Sequence, residues 1–298
     1  MRVANAPVSY GAFELTVGVL PNVPGPEEVL AAVAHAGYEG IELGPPGYLG
    51  GGALLRERLD RVGLALVGGF IPIHFSEPEH WDEDLAMMAV TLDLLHAGGG
   101  TEARPVLSDA GSPLRVANPG RAATDMRLGL DDRGWRSFGE GVRRAAELAR
   151  ARGFEPTFHH HAGTFVEAEW EIERFLETTN VPLLLDTGHL LLGGADPVQA
   201  LRSWRSRIDH VHLKDVRVDV MRKAIADHAD MPECWRREIF CELGSGDVDL
   251  DAFLAKLVDY TGWVVVEQDW MPEPGDTVAE AVAAQVRNRE WLRRHEDC

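Results

Sequence analysis

Short apolar runs alternate along the whole chain with longer stretches whose apolar residues recur at helical spacing. The runs are brief and end in Gly, Pro, Asp or His, so they predict strands. They fall at residues 3–9, 40–43, 64–71, 105–107, 154–161, 181–186, 208–213 and 263–267. Helices are expected between them, at 27–35, 56–62, 79–96, 135–152, 169–177, 197–204, 250–260 and 278–294. Pro26 suits a first helical turn, and Gly98, Gly99 and Gly100 suit a C-terminal stop. Eight strand–helix units in strict alternation predict an α/β fold: one (β/α)8 TIM barrel spanning 1–298. A doubly wound open sheet is the alternative, but no Gly-x-Gly-x-x-Gly follows the first strand.

Two connections, 99–131 and 214–246, are too long for turns. Both follow strands, which puts these long loops on the C-terminal face, where barrel active sites are built.

Composition narrows the function. The chain has 298 residues, 45% hydrophobic and 26% charged, enough for a large core. Its formal net charge of -19 repels phosphate backbones and anionic membranes, so neither nucleic acid nor a membrane is expected as partner. A small neutral or metal-chelating molecule fits better. The three cysteines, Cys234, Cys241 and Cys298, form neither a disulfide framework nor a thiolate zinc motif. With no leader-like segment after Met1 and no apolar run near about 20 residues, the cytoplasm is the expected compartment. Homo-oligomerisation is left open.

Polar residues gather where the last four predicted strands end. The fifth closes on His159, His160 and His161 and leads to Glu167; the sixth ends at Asp186, with His189 just beyond. The seventh carries His210, His212 and Lys214, and the eighth reaches Glu267 and Asp269. Charges at the ends of apolar strands are costly unless paired or bound to a metal. Carboxylates and imidazoles without thiolates suit one divalent ion, Mn2+ foremost, with Co2+, Mg2+ or Zn2+ as alternatives. Each residue alone has a plainer role open to it: Asp186 as a helix cap, the histidines as satisfied core groups, Glu267 as a rim ion pair. Glu169 or Glu171 could stand in for Glu167.

The strings NAPVSYGAFE (5–14), HHHAGTFVE (159–167), DTGHL (186–190), RIDHVHLKDV (207–216), GSGDVDL (244–250) and VVEQD (265–269) occur in that order. By them the chain resembles the xylose-isomerase-like sugar isomerase/epimerase superfamily, and within it the inosose (2-keto-myo-inositol) dehydratases. The resemblance implies a metal held by Glu167, Asp186, His212 and Glu267. It favours His212 over His210 and sets His189 against a substrate oxygen. Strand alternation puts His159 and His161 on one side of the fifth strand, where they can reach the substrate. Three positions depart from the family pattern: His160 stands where Pro is usual, Cys241-Glu242-Leu243 where Pro-Leu-Gly is common, and Tyr10 where Trp is frequent. Glu242 is the departure expected to reach the pocket.

The implied activity is a metal-dependent hydro-lyase acting on inosose or a similar polyhydroxy ketone through an enediolate. A ketose 3-epimerase or aldose–ketose isomerase would use the same intermediate. Glu167 and Glu267 would flank the ion as acid–base groups, with His161 or Lys214 protonating the leaving hydroxyl. A metal-dependent nuclease would need a basic groove, against the charge of -19. A sugar-binding module would not need four charged ligands on one rim.

Overall fold

The computed structural model describes residues 1–295 and holds a closed barrel of eight parallel strands. They are β1 (Arg2–Asn5), β2 (Gly40–Glu42), β3 (Ala65–Ile73), β4 (Arg104–Asp109), β5 (Thr157–His159), β6 (Leu183–Asp186), β7 (Ile208–Leu213) and β8 (Trp263–Val266). Each pairs with its sequence neighbours, and β1 closes the ring against β8. All eight expected strands are present, and their ends differ for physical reasons. The first stops at Asn5 because Pro7 has no N–H to give and opens a 3-10 turn at Pro7–Tyr10. The fifth is only three residues long, starting after Pro156 and turning away at His160.

Helices cover the outside of the barrel. Pro26–Ala36 begins on Pro26 and ends on Gly37 in the left-handed conformation. Trp81–Gly99 runs through two of the glycines expected to stop it and ends before Gly100. Asp132–Ala151 is capped by the Asp131 side chain, and Val278–Arg293 packs against the first helix. The main apolar core lies between these helices and the strands, with a small second cluster of Ala4, Ala6, Val67 and Val265.

Strand alternation explains that division. Val3, Val264 and Val266 belong to the outer core, while Ala4 and Val265 between them face the lumen. Val265 is in register with His212, and His212 with Asp186. The same lumen-facing side therefore carries His210 two residues earlier and Glu267 two residues later.

The long connections contain structure of their own. The first holds a helix at Pro113–Val116 and a 3-10 turn at Met126–Leu128. The second holds helices Val218–Ala226 and Met231–Arg236, flanked by an antiparallel pair, Asp215–Val216 with Phe240–Cys241. No helix among the described residues is long and apolar enough to cross a membrane. Cys234 and Cys241 are buried free thiols, and Cys298 lies outside the described residues.

Candidate metal centre

Four side chains from four adjacent strands converge in the lumen: His159, Asp186, His212 and Glu267 each offer one atom, all within 4.8 Å of one another. Asp186 reconciles two roles on its two oxygens. Oδ1 accepts the N–H groups of Gly188 and His189, both at 2.8 Å, and caps the helix Thr187–Leu192. Oδ2 is buried without a hydrogen bond and stands 3.5 Å from His159 Nε2 and 3.7 Å from His212 Nδ1. His159 donates through Nδ1 to the carbonyl of His160 at 2.5 Å, which leaves Nε2 as its free donor atom. His212 Nδ1 likewise has no hydrogen bond and lies 3.0 Å from Glu267 Oε2.

Two buried atoms without a hydrogen bond, Asp186 Oδ2 and His212 Nδ1, thus sit inside one set of nitrogen and carboxylate donors. Buried polar atoms are rarely left so, and this donor set fits a divalent cation. Among the described residues the cluster can hold a metal ion.

Lys214 crosses beside it. Its ammonium reaches Asp269 Oδ1 at 2.8 Å, Glu267 Oε2 at 3.1 Å and Asp186 Oδ2 at 3.3 Å. Burial works to lower its pKa, but Asp186, Asp269 and Glu267 overcome that and hold it raised. Gly188 gives the stem its path: a Cβ there would stand 2.9 Å from the Lys214 side chain. The neighbouring Asp215 is not its partner. Asp215 accepts the N–H groups of Val216, Gly244, Gly246 and Val248 and ties down the GSGDV turn.

A pocket of about 180 Å³ opens over this floor. His159, His161, His212, Lys214, Glu42, Glu267 and Asp269 line it below; Phe13, Phe70 and Trp235 form its apolar sides. Trp235 comes from the 214–246 connection, donates its indole N–H to Asp269 at 3.2 Å and meets Phe13 edge-on. A larger cleft of about 430 Å³ lies on the outer side of Asp269, but its Arg287–Glu242 and Arg217–Glu238 pairs already satisfy each other. Glu242 is spent there and does not line the inner pocket.

His161 donates through Nδ1 to the Ala162 carbonyl at 2.8 Å, leaving Nε2 as the basic atom. Burial, then the charges of His159 and Lys214, push its pKa down to about 4. That direction favours the neutral imidazole near pH 7, which leaves Lys214 as the protonated member of the pair His161 or Lys214 expected to supply the acid. His189 is fully buried behind His161, ring centroids 3.8 Å apart, with Nε2 at 3.1 Å from Lys214. It does not line the pocket where a substrate oxygen was expected to meet it.

Glu167 is the largest departure. The chain turns at Gly163, whose φ is +80°, and carries Glu167 away from the lumen. Its Oε1 accepts the N–H groups of Gly120 at 2.7 Å and Gly163 at 2.9 Å, and Oε2 accepts from Arg115 at 3.0 Å. Arg115, fully buried, also grips Glu171 with two hydrogen bonds. Glu167 therefore pins the 99–131 connection to the loop after β5, and His159 takes the place expected for it in the cluster. Glu171, its suggested stand-in, is tied into the same network, and Glu169 lies outside the cluster.

Two positions that the site draws on escaped sequence reasoning, Glu42 and Arg115; Asp269 was among the polar residues gathered at the strand ends, two residues beyond Glu267, but had no role assigned. His160, the departure from the family pattern, is buried and accepts the N–H of Asp186 at 3.2 Å, fastening the loop to β6.

The chain is 34% identical over 289 residues to an inosose dehydratase of Geobacillus kaustophilus, covering 91% of this chain and 88% of the relative. It is 31% identical over 276 residues to an inosose dehydratase of Erwinia tasmaniensis, covering 90% and 89%. A solved structure of the IOLI protein with a bound zinc atom superposes with a TM-score of 0.68 at 15% identity, covering 99% of this chain and 98% of that one. The family model for the xylose isomerase-like TIM barrel matches residues 30–295, and the chain belongs to that family.

Proposed function

We propose that this enzyme dehydrates 2-keto-myo-inositol, or a closely similar neutral polyhydroxy ketone, to a cyclic dione. The carrying observation is one small pocket in which a donor cluster, a neutral imidazole and a fixed ammonium face the same space. The relatives named above, inosose dehydratases over nine-tenths of this chain, support the same reading.

His159, Asp186, His212 and Glu267 would hold the cation, with Mn2+ as our first assignment. A divalent ion there supplies Lewis-acid polarisation of the substrate carbonyl and stabilises charge as the α-proton leaves. Nε2 of His161 is the basic atom that takes the α-proton. Lys214 keeps its proton in the resting site and gives it to the departing β-hydroxyl, so one C–H and one C–O bond break and one water forms. His189, with Nε2 3.1 Å from Lys214 Nζ and its ring tilted against His161, packs against both groups, and the protons they exchange with the substrate are restored from solvent through the pocket. Asp269 orients Lys214, and the indole of Trp235 fixes Asp269.

Charge limits the substrate. The pocket is lined by Glu14, Glu42, Glu267 and Asp269 against one fixed cation, Lys214, which already serves three carboxylates. A phosphate or carboxylate on the substrate would add negative charge to a lining already rich in acids, whose surplus the cation and Lys214 are needed to offset. We place the enzyme in the cytoplasm, acting on a neutral polyol ketone.

The test is incubation of the metal-loaded enzyme with inososes and ketohexoses in D2O, followed by mass spectrometry. Loss of one water from an inosose is expected. Exchange of an α-proton in a ketose, with no water lost from any inosose, would transfer the site to epimerase or isomerase chemistry.

A further inference from the structure

β7 sends two imidazoles into the lumen, and only one of them joins the donor cluster. His212 presents Nδ1 to Asp186 and Glu267. Its other nitrogen, Nε2, turns the opposite way and meets Oε1 of Glu42 at 3.1 Å. The second imidazole, His210, reaches the same oxygen with its own Nε2 at 3.2 Å. Glu42 belongs to β2, three strands away around the barrel, and is 4% exposed.

Two local features bring it there. The register between β2 and β3 slips by one residue between Ile41 and Glu42, and such slips re-aim side chains. Opposite Glu42 in that register stands Gly68, where a Cβ would lie 2.9 Å from Glu42 Oε1. Any larger residue would occupy the carboxylate's place. Glu42 takes no Lys or Arg ion pair among the described residues; its hydrogen bonds come from the two imidazoles. A buried carboxylate tolerates that position only if both nitrogens carry protons toward it.

We infer that Glu42 is a positioning residue of the metal centre, holding a proton on Nε2 of His212 so that Nδ1 keeps its lone pair for the cation. A neutral imidazole has one donor and one acceptor nitrogen, so fixing the first assigns the second. Carboxylate partners of this kind orient ligating imidazoles and raise their basicity. His210 supplies the second N–H that satisfies the same carboxylate. The two histidines of the His-x-His pair thereby divide the work. His212 faces the cation, and His210 holds the group that orients His212.

The inference rests on the cluster being a metal centre. The experiment measures zinc and cobalt binding by chelator competition for the full chain, Glu42→Gln and Glu42→Ala. Melting of each metal-free protein is recorded alongside. The wild type is expected to bind one ion. Glu42→Ala should bind it roughly 10–100-fold more weakly, the usual effect of removing such a partner. Glu42→Gln, whose amide oxygen still accepts one N–H, should fall between, which keeps the test decisive if the alanine variant folds poorly. In zinc-loaded protein labelled at histidine nitrogen, His212 should show a slowly exchanging Nε2–H that Glu42→Ala loses.

Two results overturn the inference while leaving the metal centre standing. One is wild-type affinity and an unchanged His212 N–H in a folded Glu42 variant, even if its melting temperature drops. The other is a second wild-type ion that the Glu42 variants lose, which would make Glu42 a ligand. A wild type that binds neither metal overturns the centre and the inference together.

Discussion

Replacing Arg115 by Met tests the placement of Glu167 outside the metal centre. Arg115, Glu167 and Glu171 are all buried, so one guanidinium faces two carboxylates. Burial is the largest influence on Glu167; it lifts the carboxyl from 4.5 to about 7 against the pull of Arg115 and the Gly120 and Gly163 N–H groups. Burial raises Glu171 as well. A carboxyl raised in the folded state contributes stability that is full below its unfolded value and is lost as pH rises through its folded value.

Without Arg115 both carboxyls must hold protons to remain buried. At about pH 5 Glu167 already holds a proton in the wild type, so the added demand falls on Glu171 and costs roughly 1 kcal/mol, because an unfolded carboxyl is only partly protonated there. At about pH 8 the same demand costs several kcal/mol, and breaking a buried pair of this kind is typically worth roughly 3–5 kcal/mol. Urea denaturation should therefore show Arg115→Met destabilised by about 1–2 kcal/mol at the lower pH and about 3–5 kcal/mol at the higher. Metal stoichiometry should not change, since neither Glu167 nor Arg115 contributes to the cluster. A penalty equal at both pH values would refute the charge argument. Loss of the ion from a folded variant would return Glu167 to the ligands.

Asp186→Asn should abolish tight metal binding while changing stability by less than about 1 kcal/mol, because an amide oxygen still caps the following helix; unfolding curves and elemental analysis read the two effects separately. His161→Gln and Lys214→Met should each keep the ion and lower kcat by roughly 10²–10⁴-fold, the usual share of one acid–base group. Near-normal turnover in both variants would end the assignment of proton transfer to them.

The barrel was legible because each strand is a short apolar run with its own stop signal, and eight such runs survive small errors at either end. Errors of that size still decide roles. Extending the fifth strand to His161 hides the turn at His160, and that turn separates His159, in the cluster, from Glu167, behind it. Asp186, His212 and Glu267 stand on or just past strand ends, where the polar residues visibly gather, and the family resemblance implied them as ligands; the pleat carries all three into the lumen. Glu42 and Arg115 could not be read that way. Glu42 faces inward through a one-residue register slip and a glycine on another strand. Arg115 sits on a four-residue helix inside an irregular connection, and its partners lie more than fifty positions away. Their roles depend on contacts between segments, which no local period records.

Charge accounts for why these particular groups share the lumen. Glu42, Asp186, Glu267 and Asp269 are four buried carboxylates, and among the described residues Lys214 is the Lys or Arg side chain that pairs with three of them. An apolar barrel cannot hold such a surplus unopposed. Glu42 and Glu267 both lean on His212, whose pKa is lowered by burial yet held well above its usual value by Glu267 and Glu42. A divalent cation among His159, Asp186, His212 and Glu267 would offset most of that surplus. Lys214, on its other side, would then be free to lend a proton without leaving its acids unpaired. The arrangement that makes the metal-free site electrostatically strained is thus the same one that keeps a proton donor beside the ion, and a neutral substrate enters it without adding to the negative charge.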